Sequence, residues 1–293
     1  MRVFMTGATG YIGSAVARAL RGRGHDVVGL ARNDSASEQL QRSGVHPVMG
    51  DMEHTDVLQE MVHDADAVIH CGFARGARAP ELEAHALDAM LDAIGSDHEA
   101  FIYTSGIWVY GSRGDAVVDE NAPLNPTPLV AWRPAHERRV LGAAAHHLRT
   151  IVIRPGMVYG DDGGIVGGMV DEARRGILRV AGAGTNRWSM VRVDALADLY
   201  VLALERADRG AIYNAAHGAA VPYAEIARAA SRAAGGDGAI EHVVLSEARK
   251  TLGAFADALA VDLQVSSERA TRELGWAPDR PTVIEELSAT VVV

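Results

Sequence analysis

The chain is poor in several things, and each shortage excludes something. It has one cysteine, Cys71, in 293 residues. No intramolecular disulfide can form, and a reducing compartment is expected. It has one lysine: Lys250 stands alone among 28 Lys and Arg residues, the others all being arginine. Such a skew follows from codon usage in a GC-rich genome, yet any chemistry that needs a lysine must use Lys250. No apolar run approaches the roughly 18 residues of a membrane span. Met1–Gly10 shows no charged n-region followed by an apolar h-region, so a cytoplasmic setting is expected. Basic charge is scarce as well. A net charge of −10 argues against a general nucleic-acid binder, which needs a cationic face.

What is present suits a globular enzyme. Hydrophobic residues make up 48%, enough for a sizeable core, and 23% charged residues excludes wholesale disorder. The first half alternates short apolar runs with helical spacing. Strands are expected at Arg2–Thr6, His25–Ala31, Val45–Met49, Ala67–His70, Ala100–Ser105 and Thr150–Arg154. Helices are expected at Ile12–Arg21, 34–43, 55–63, 81–95 and 128–146. Strands apolar on both faces, joined by helices, predict an α/β fold: a Rossmann-type doubly wound parallel sheet. In the second half, 161–168 reads as a mobile Asp/Gly loop. Helices are expected at Val193–Arg206, 222–234, 267–274 and 282–290, and a strand at Ala211–Ala215. This divides the chain into a dinucleotide-binding domain, 1–155 with 190–215 returning to it, and a smaller C-terminal substrate lobe, 156–189 and 216–293.

The strongest local signal is Thr6-Gly7-Ala8-Thr9-Gly10-Tyr11-Ile12-Gly13, between an expected strand and helix. Gly7 permits the tight turn, Gly10 lets a pyrophosphate approach the backbone, and Gly13 lets helix and strand pack closely. Thr9, Tyr11 and Ile12 then offer N–H groups at a helix N-terminus. At the end of the second strand, an acid would bind a ribose 2′-hydroxyl. Arg32 stands there instead, and its planar cation suits a 2′-phosphate. NADP is therefore favoured over NAD. Asp34 is expected to cap the next helix.

Further motifs follow in order: Gly24-His25-Asp26-Val27-Val28-Gly29-Leu30-Ala31-Arg32, Gly50-Asp51-Met52, Val109-Tyr110-Gly111, Arg154-Pro155-Gly156-Met157-Val158-Tyr159-Gly160 and Val193-Asp194. Together with the glycine turn, they resemble the extended short-chain dehydrogenase/reductase family of nucleotide-sugar epimerases, dehydratases and hydroxysteroid-type reductases. The resemblance spans essentially the whole chain. It implies a nicotinamide cofactor, with Asp51 and Met52 bordering the adenine and Cys71, Gly72 and Phe73 beside the cofactor. It also implies a homodimer formed through two helices per subunit, 128–146 among them.

The resemblance fails at the catalytic residues. The family uses Ser/Thr with a Tyr and a Lys four apart on one helix. None of the seven tyrosines precedes Lys250 by four, since position 246 is Ser246. Placing the helix by Glu137 puts Leu129 and Arg133 at the Tyr and Lys positions, and placing the preceding strand by Val109-Tyr110-Gly111 puts Gly106 at the Ser position. A register three residues on gives Trp132 and His136. The chain looks like an atypical branch of the family.

Several residues are candidates to fill the gap. Arg133 is expected to hold the cofactor ribose or pyrophosphate, a surface ion pair being the alternative. His136 is a candidate acid, histidine being the residue type whose charge changes near neutral pH. Tyr110 and Tyr159 each sit in a Val-Tyr-Gly beyond the carboxyl end of an expected strand, and either phenol could protonate a reduced carbonyl, core packing being the alternative. Ser105 could hydrogen-bond a substrate carbonyl. His70 ends the fourth expected strand and reads as structural, contact with the cofactor being the alternative. Arg187-Trp188 either holds an anionic or planar ligand or belongs to the lobe core. His146-His147 lacks partners at ligand spacing, Asp161-Asp162-Gly163-Gly164 lacks that of a calcium loop, and no metal is expected. The expected function is NADP-dependent reduction of a carbonyl or enone in a small organic molecule. A non-redox isomerase, lyase or cyclase, and an NADP(H)-sensing protein, remain alternatives.

Overall fold

The computed structural model describes residues 1–74, 76–144 and 148–289. Its centre is a seven-stranded sheet of β1 (Arg2–Thr6), β2 (Asp26–Ala31), β3 (His46–Met49), β4 (Ala67–His70), β5 (Ala100–Thr104), β6 (Arg149–Pro155) and β7 (Ala211–Ala215). The order is β7-β6-β5-β4-β1-β2-β3 and every pair is parallel. The strands are apolar on both faces because helices cover both. On one face α1 (Tyr11–Gly22) and α7 (Val193–Arg206) pack on Val3, Met5, Ile69 and Ile153. On the other, α3 (Thr55–His63), α4 (Ala79–Asp92) and α5 (Arg133–Gly142) pack on Phe4, Val68, Phe101 and Val152. α2 (Asp34–Arg42) flanks the β3 edge. From β1 the chain order runs outward both ways, through β2 and through β4. That reversal opens a crevice at the carboxyl ends of β1 and β4.

Beyond β6 a second apolar cluster forms around Tyr159, Val180, Trp188, Tyr223 and Ile226. It is built from α6 (Gly164–Arg175), α8 (Tyr223–Ala233), short two-stranded ladders and α12 (Val283–Ala289), with α9 (Leu245–Leu252) and α10 (Ala254–Leu259) alongside. α11 (Glu268–Leu274) returns to pack on α7 and β7. No helix among the described residues is long and apolar enough to cross a membrane.

Three local expectations are corrected. The helix expected over 128–146 is a 3-10 turn at Pro128–Val130 followed by α5, which starts only at Arg133. Pro134 decides this, since it has no N–H to give to a preceding turn and is tolerated only at a helix start. Leu129 and Arg133 therefore do not share one helix. The loop expected over 161–168 is a short turn that enters α6 at Gly164. Its glycines serve packing: a Cβ on Gly164 would meet the Val158 carbonyl oxygen at 2.5 Å and the Tyr11 ring at 2.9 Å. Finally, Asn33 caps α2, its side chain accepting from Ala36 N–H at 2.9 Å, and Asp34 is the first helical residue. His146 and His147 lie outside the described residues.

Candidate active site

The crevice at the switch point is a cleft of about 850 Å³, lined by the glycine turn, Arg32, Asp51, Met52, Cys71, Gly72 and Phe73. Gly7 has φ +70°, and a Cβ there would lie 2.6 Å from the Cys71 backbone, so the β1–α1 turn and the end of β4 touch directly. The Thr6 hydroxyl secures that contact. It accepts from Gly72 N–H at 3.0 Å and lies 2.5 Å from His70 Nδ1. Burial pushes His70 down to about 4, so its imidazole is neutral and structural. α1 begins at Gly10 with no side-chain cap and no acid in its first turn, leaving its N–H groups and dipole for an anion in the cleft. Tyr11 donates its hydroxyl to the Gly160 carbonyl at 2.7 Å, tying this turn to the start of the second lobe.

The rim residues differ in freedom. Asp51 accepts from Glu53 N–H at 2.8 Å and lies 2.8 Å from His54 Nδ1. Burial raises its carboxyl, but these contacts outweigh that and hold it below the usual range. Met52 packs over Gly72, where a Cβ would meet its sulfur at 2.9 Å. Arg32 is exposed and has no ion-pair or hydrogen-bond partner among the described residues. Phe73 is 53% exposed.

Cys71 forms the floor. Its sulfur accepts from the Thr104 hydroxyl at 3.2 Å, and burial pushes the thiol up to about 11. Against an ordinary thiol near 8.5, its thiolate at pH 8 is scarcer by roughly 100-fold. Iodoacetamide should modify the folded protein slower by that order than the urea-unfolded chain. Mass spectrometry checks this, and equal rates would contradict the placement.

The candidate acids separate sharply. Tyr110 is fully buried. It accepts from Arg154 Nη1 at 2.6 Å and donates to Asn214 Oδ1 at 2.8 Å. Arg154 is in turn held by both oxygens of Glu137 at 3.0 and 2.6 Å. Tyr159 donates to the Pro281 carbonyl at 2.6 Å within the lobe core. Both phenols are occupied, and burial raises both. Trp188 stacks on Tyr223 at 4.2 Å and Arg187 pairs with Asp262 and Asp115, so these two belong to the lobe's frame. Lys250 is exposed on α9, its Nζ 2.8 Å from both Glu247 oxygens.

Ser105, Arg133 and His136 gather instead at the end of β5. Ser105 follows that strand, and its buried hydroxyl has no hydrogen-bond partner among the described residues. Arg133 donates to the Thr104 carbonyl at 2.6 Å and lies against the rings of Trp132 and Phe73. It is not among the residues that line the cleft. His136 is buried with its Nδ1 4.0 Å from Glu83 Oε1. Glu83 is the residue that sequence reasoning missed. It is a fully buried acid on α4 that accepts from the Tyr103 hydroxyl at 2.6 Å. Burial raises its carboxyl, but His136, Arg133, His70 and Tyr103 together hold it below the usual range. A glutamate between Leu82 and Ala84 carries no sign in sequence that it points inward. Among the described residues, no three metal-ligating side chains converge.

Residues 3–216, most of the chain, match the NAD dependent epimerase/dehydratase family. The chain belongs to that family. An uncharacterized protein of Schizosaccharomyces pombe is 32% identical over 297 residues, 99% of each chain. The 2-alkyl-3-oxoalkanoate reductase of Stenotrophomonas maltophilia is 31% identical over 228 residues, 72% of this chain and 67% of that protein. Among solved structures, a double mutant of the dTDP-glucose 4,6-dehydratase DesIV from Streptomyces venezuelae superposes with a TM-score of 0.84 over 99% of this chain and 96% of that one. At 19% identity, that likeness speaks for the fold. Family membership accounts for the glycine turn and the sheet order.

Proposed function

We propose that the protein is an NADP-dependent oxidoreductase that reduces a carbonyl or enone of a small organic molecule without a Tyr/Lys pair. Residues 1–155 with 190–215 bind the dinucleotide, and 156–189 with 216–293 form the substrate lobe. The nicotinamide, when bound, supplies hydride. The chain's own residues hold its phosphates at Gly7, Thr9, Gly10, Tyr11, Ile12 and Gly13, receive the adenine between Asp51 and Met52, and wall the cleft with Cys71, Gly72 and Phe73. Ser105 orients the substrate carbonyl, and His136, one turn along α5 from Arg133, delivers the proton. Cofactor positioning alone carries a large share of the rate, so the missing pair does not abolish transfer.

The observation that carries this reading is Arg32. It is an unpaired cation at the end of β2 facing the cleft, while its neighbour Asn33 is spent on capping α2. The family relatives named as reductases support the reaction type. Fluorescence titration tests the cofactor. Arg32→Glu should weaken NADPH by roughly 10- to 100-fold and leave NADH within a few-fold, as expected for one lost charge-assisted contact. Equal weakening of both would defeat the NADP assignment. If neither cofactor binds below millimolar concentration, the oxidoreductase reading falls. Loss of the NADPH absorbance on adding a ketone separates an enzyme from a sensor, and product without cofactor consumption would favour an isomerase or lyase.

A further inference from the structure

We infer that Arg133 is a specificity-determining residue that anchors a negatively charged group on the substrate. The substrate class is then an oxo acid with its carboxylate a few bonds from the carbonyl and an apolar or aromatic remainder. This rests on the reductase reading above.

Arg133 is the first residue of α5, and its guanidinium is fixed on three sides. Nη1 donates to the Thr104 carbonyl at 2.6 Å, and Cζ lies 4.8 Å from the Trp132 ring and 5.7 Å from the Phe73 ring. No carboxylate forms an ion pair with it among the described residues. The buried acids near this corner are both engaged: Glu83 by the Tyr103 hydroxyl, facing His136, and Glu137 by Arg154. A guanidinium carries five N–H donors in a rigid fork, so one bond to Thr104 leaves an edge that matches a carboxylate. α5 adds to the attraction, since it opens with no side-chain cap and no acid in its first turn.

A second observation places a carbonyl beside that anion. Ser105 directly follows the residue whose carbonyl holds Arg133, and its buried hydroxyl has no partner. Buried polar groups are nearly always satisfied, so an orphan hydroxyl at the carboxyl end of a sheet strand marks a place for a ligand atom. Next to it Gly106 is open, a Cβ there meeting only the Pro155 carbonyl oxygen, at 4.0 Å. Phe73, whose ring lies 5.7 Å from the Arg133 Cζ, also lines the dinucleotide cleft, so this corner adjoins the cleft. Hydroxyl and guanidinium are held by consecutive residues, which sets carbonyl and carboxylate close together in the ligand. Phe73 and Trp132 offer rings to its apolar part. The net change is oxo acid to hydroxy acid. Two electrons and one proton arrive as hydride from reduced nicotinamide, and the site delivers the second proton to the carbonyl oxygen.

Benzoylacetate and its ethyl ester differ in charge and share the 3-oxo group, so together they test the inference on the NADPH-loaded protein. Wild type should prefer the acid by at least tenfold in kcat/KM. Arg133→Gln should lower kcat/KM for the acid by roughly 10- to 100-fold, mainly through KM, as expected for loss of a charged hydrogen bond. The ester should change by less than threefold and the NADPH dissociation constant should hold. Arg133→Lys, which keeps the charge and loses the fork, should recover only part of the acid preference. Equal losses for acid and ester, or a parallel loss of NADPH affinity, would overturn the inference by giving Arg133 to the fold or the cofactor. Calorimetry of benzoylacetate with the NADP-loaded protein keeps the two readings apart. Arginine-dependent binding without turnover would sink the reductase reading and leave the anion anchor standing. Absence of arginine-dependent binding would sink the anchor.

Discussion

Replacing Glu137 by alanine should lower the unfolding free energy by about 3–5 kcal/mol, the usual cost of leaving a buried charge unpaired. The carboxylate grips Arg154 through both oxygens, at 3.0 and 2.6 Å, and both side chains are 3% exposed. Arginine cannot shed its charge by deprotonating. What would remain around it is the Tyr110 hydroxyl at 2.6 Å, the Tyr110 ring face at 4.9 Å and the Glu120 carbonyl at 3.5 Å, none of them anionic. The pair clamps α5 to β6, and through Tyr110 and Asn214 it reaches β7. Glu137→Gln, which keeps the shape and one acceptor, should cost less. Tyr110→Phe removes one acceptor from a charged donor and should cost roughly 1–3 kcal/mol. Combining Glu137→Leu with Arg154→Met removes both charges and should be less damaging than Glu137→Ala alone. Urea denaturation followed by circular dichroism measures all four. A Glu137→Ala midpoint equal to wild type would mean the pair carries no net stability.

Glu137 also shows what sequence could and could not convey. It served as the marker that placed the catalytic helix, yet the register it implied ran through Leu129 and assumed one continuous helix. Two prolines, Pro128 and Pro134, both suit a helix start, but a helix begun at Pro128 would carry Pro134 in its interior, so the second proline sets the start. The six strands expected in the first half were legible because parallel strands buried on both faces leave unbroken apolar runs such as Val27-Val28-Gly29-Leu30. The lobe's two-residue strands were not. Arg187–Trp188 pairs with Val221–Pro222 over thirty residues away, and two residues carry no periodicity. α6 was hidden by its own composition. Asp161, Asp162, Gly163 and Gly164 read as a loop, whereas Gly163 and Gly164 make room for Tyr11 and Gly167 for the Asp162 carbonyl.

The same contrast holds at the site. The glycine turn was readable because each glycine has its own steric duty, so the motif encodes geometry directly. The polar cluster at the end of β5 was not, because it depends on which polar side chains become buried. Tyr110 and Ser105 were both candidates near the carboxyl end of β5. Folding gives the phenol two partners and leaves the serine hydroxyl with none. Glu83, His136 and Tyr103 lie on three separate elements, α4, α5 and β5, and nothing local in the chain announces their meeting.

Gly13→Ala should abolish dinucleotide binding while leaving a folded protein. A Cβ on Gly13 falls well inside contact distance of the Gly7 carbonyl oxygen and 3.2 Å from the Ala8 Cα. These are backbone atoms, and they cannot rotate away. The start of α1 must then move off the turn. Gly7 cannot follow, since its own Cβ position already lies 2.6 Å from the Cys71 backbone and φ +70° is a conformation that other residues resist. The N–H groups of Gly10 to Gly13 would no longer converge on one phosphate position, and with them goes the helix-terminus contribution to binding. NADPH affinity should fall at least about 100-fold, or ~2.7 kcal/mol. Overpacking should cost about 1–3 kcal/mol of stability. Gly22→Ala is the control. It lies in the same helix with nothing within 4 Å of its Cβ position, and it should gain a few tenths of a kcal/mol with NADPH affinity unchanged. Fluorescence titration of NADPH against both variants, with thermal melts alongside, reads the two effects separately. Wild-type affinity in Gly13→Ala would mean that the dinucleotide does not lie on this turn.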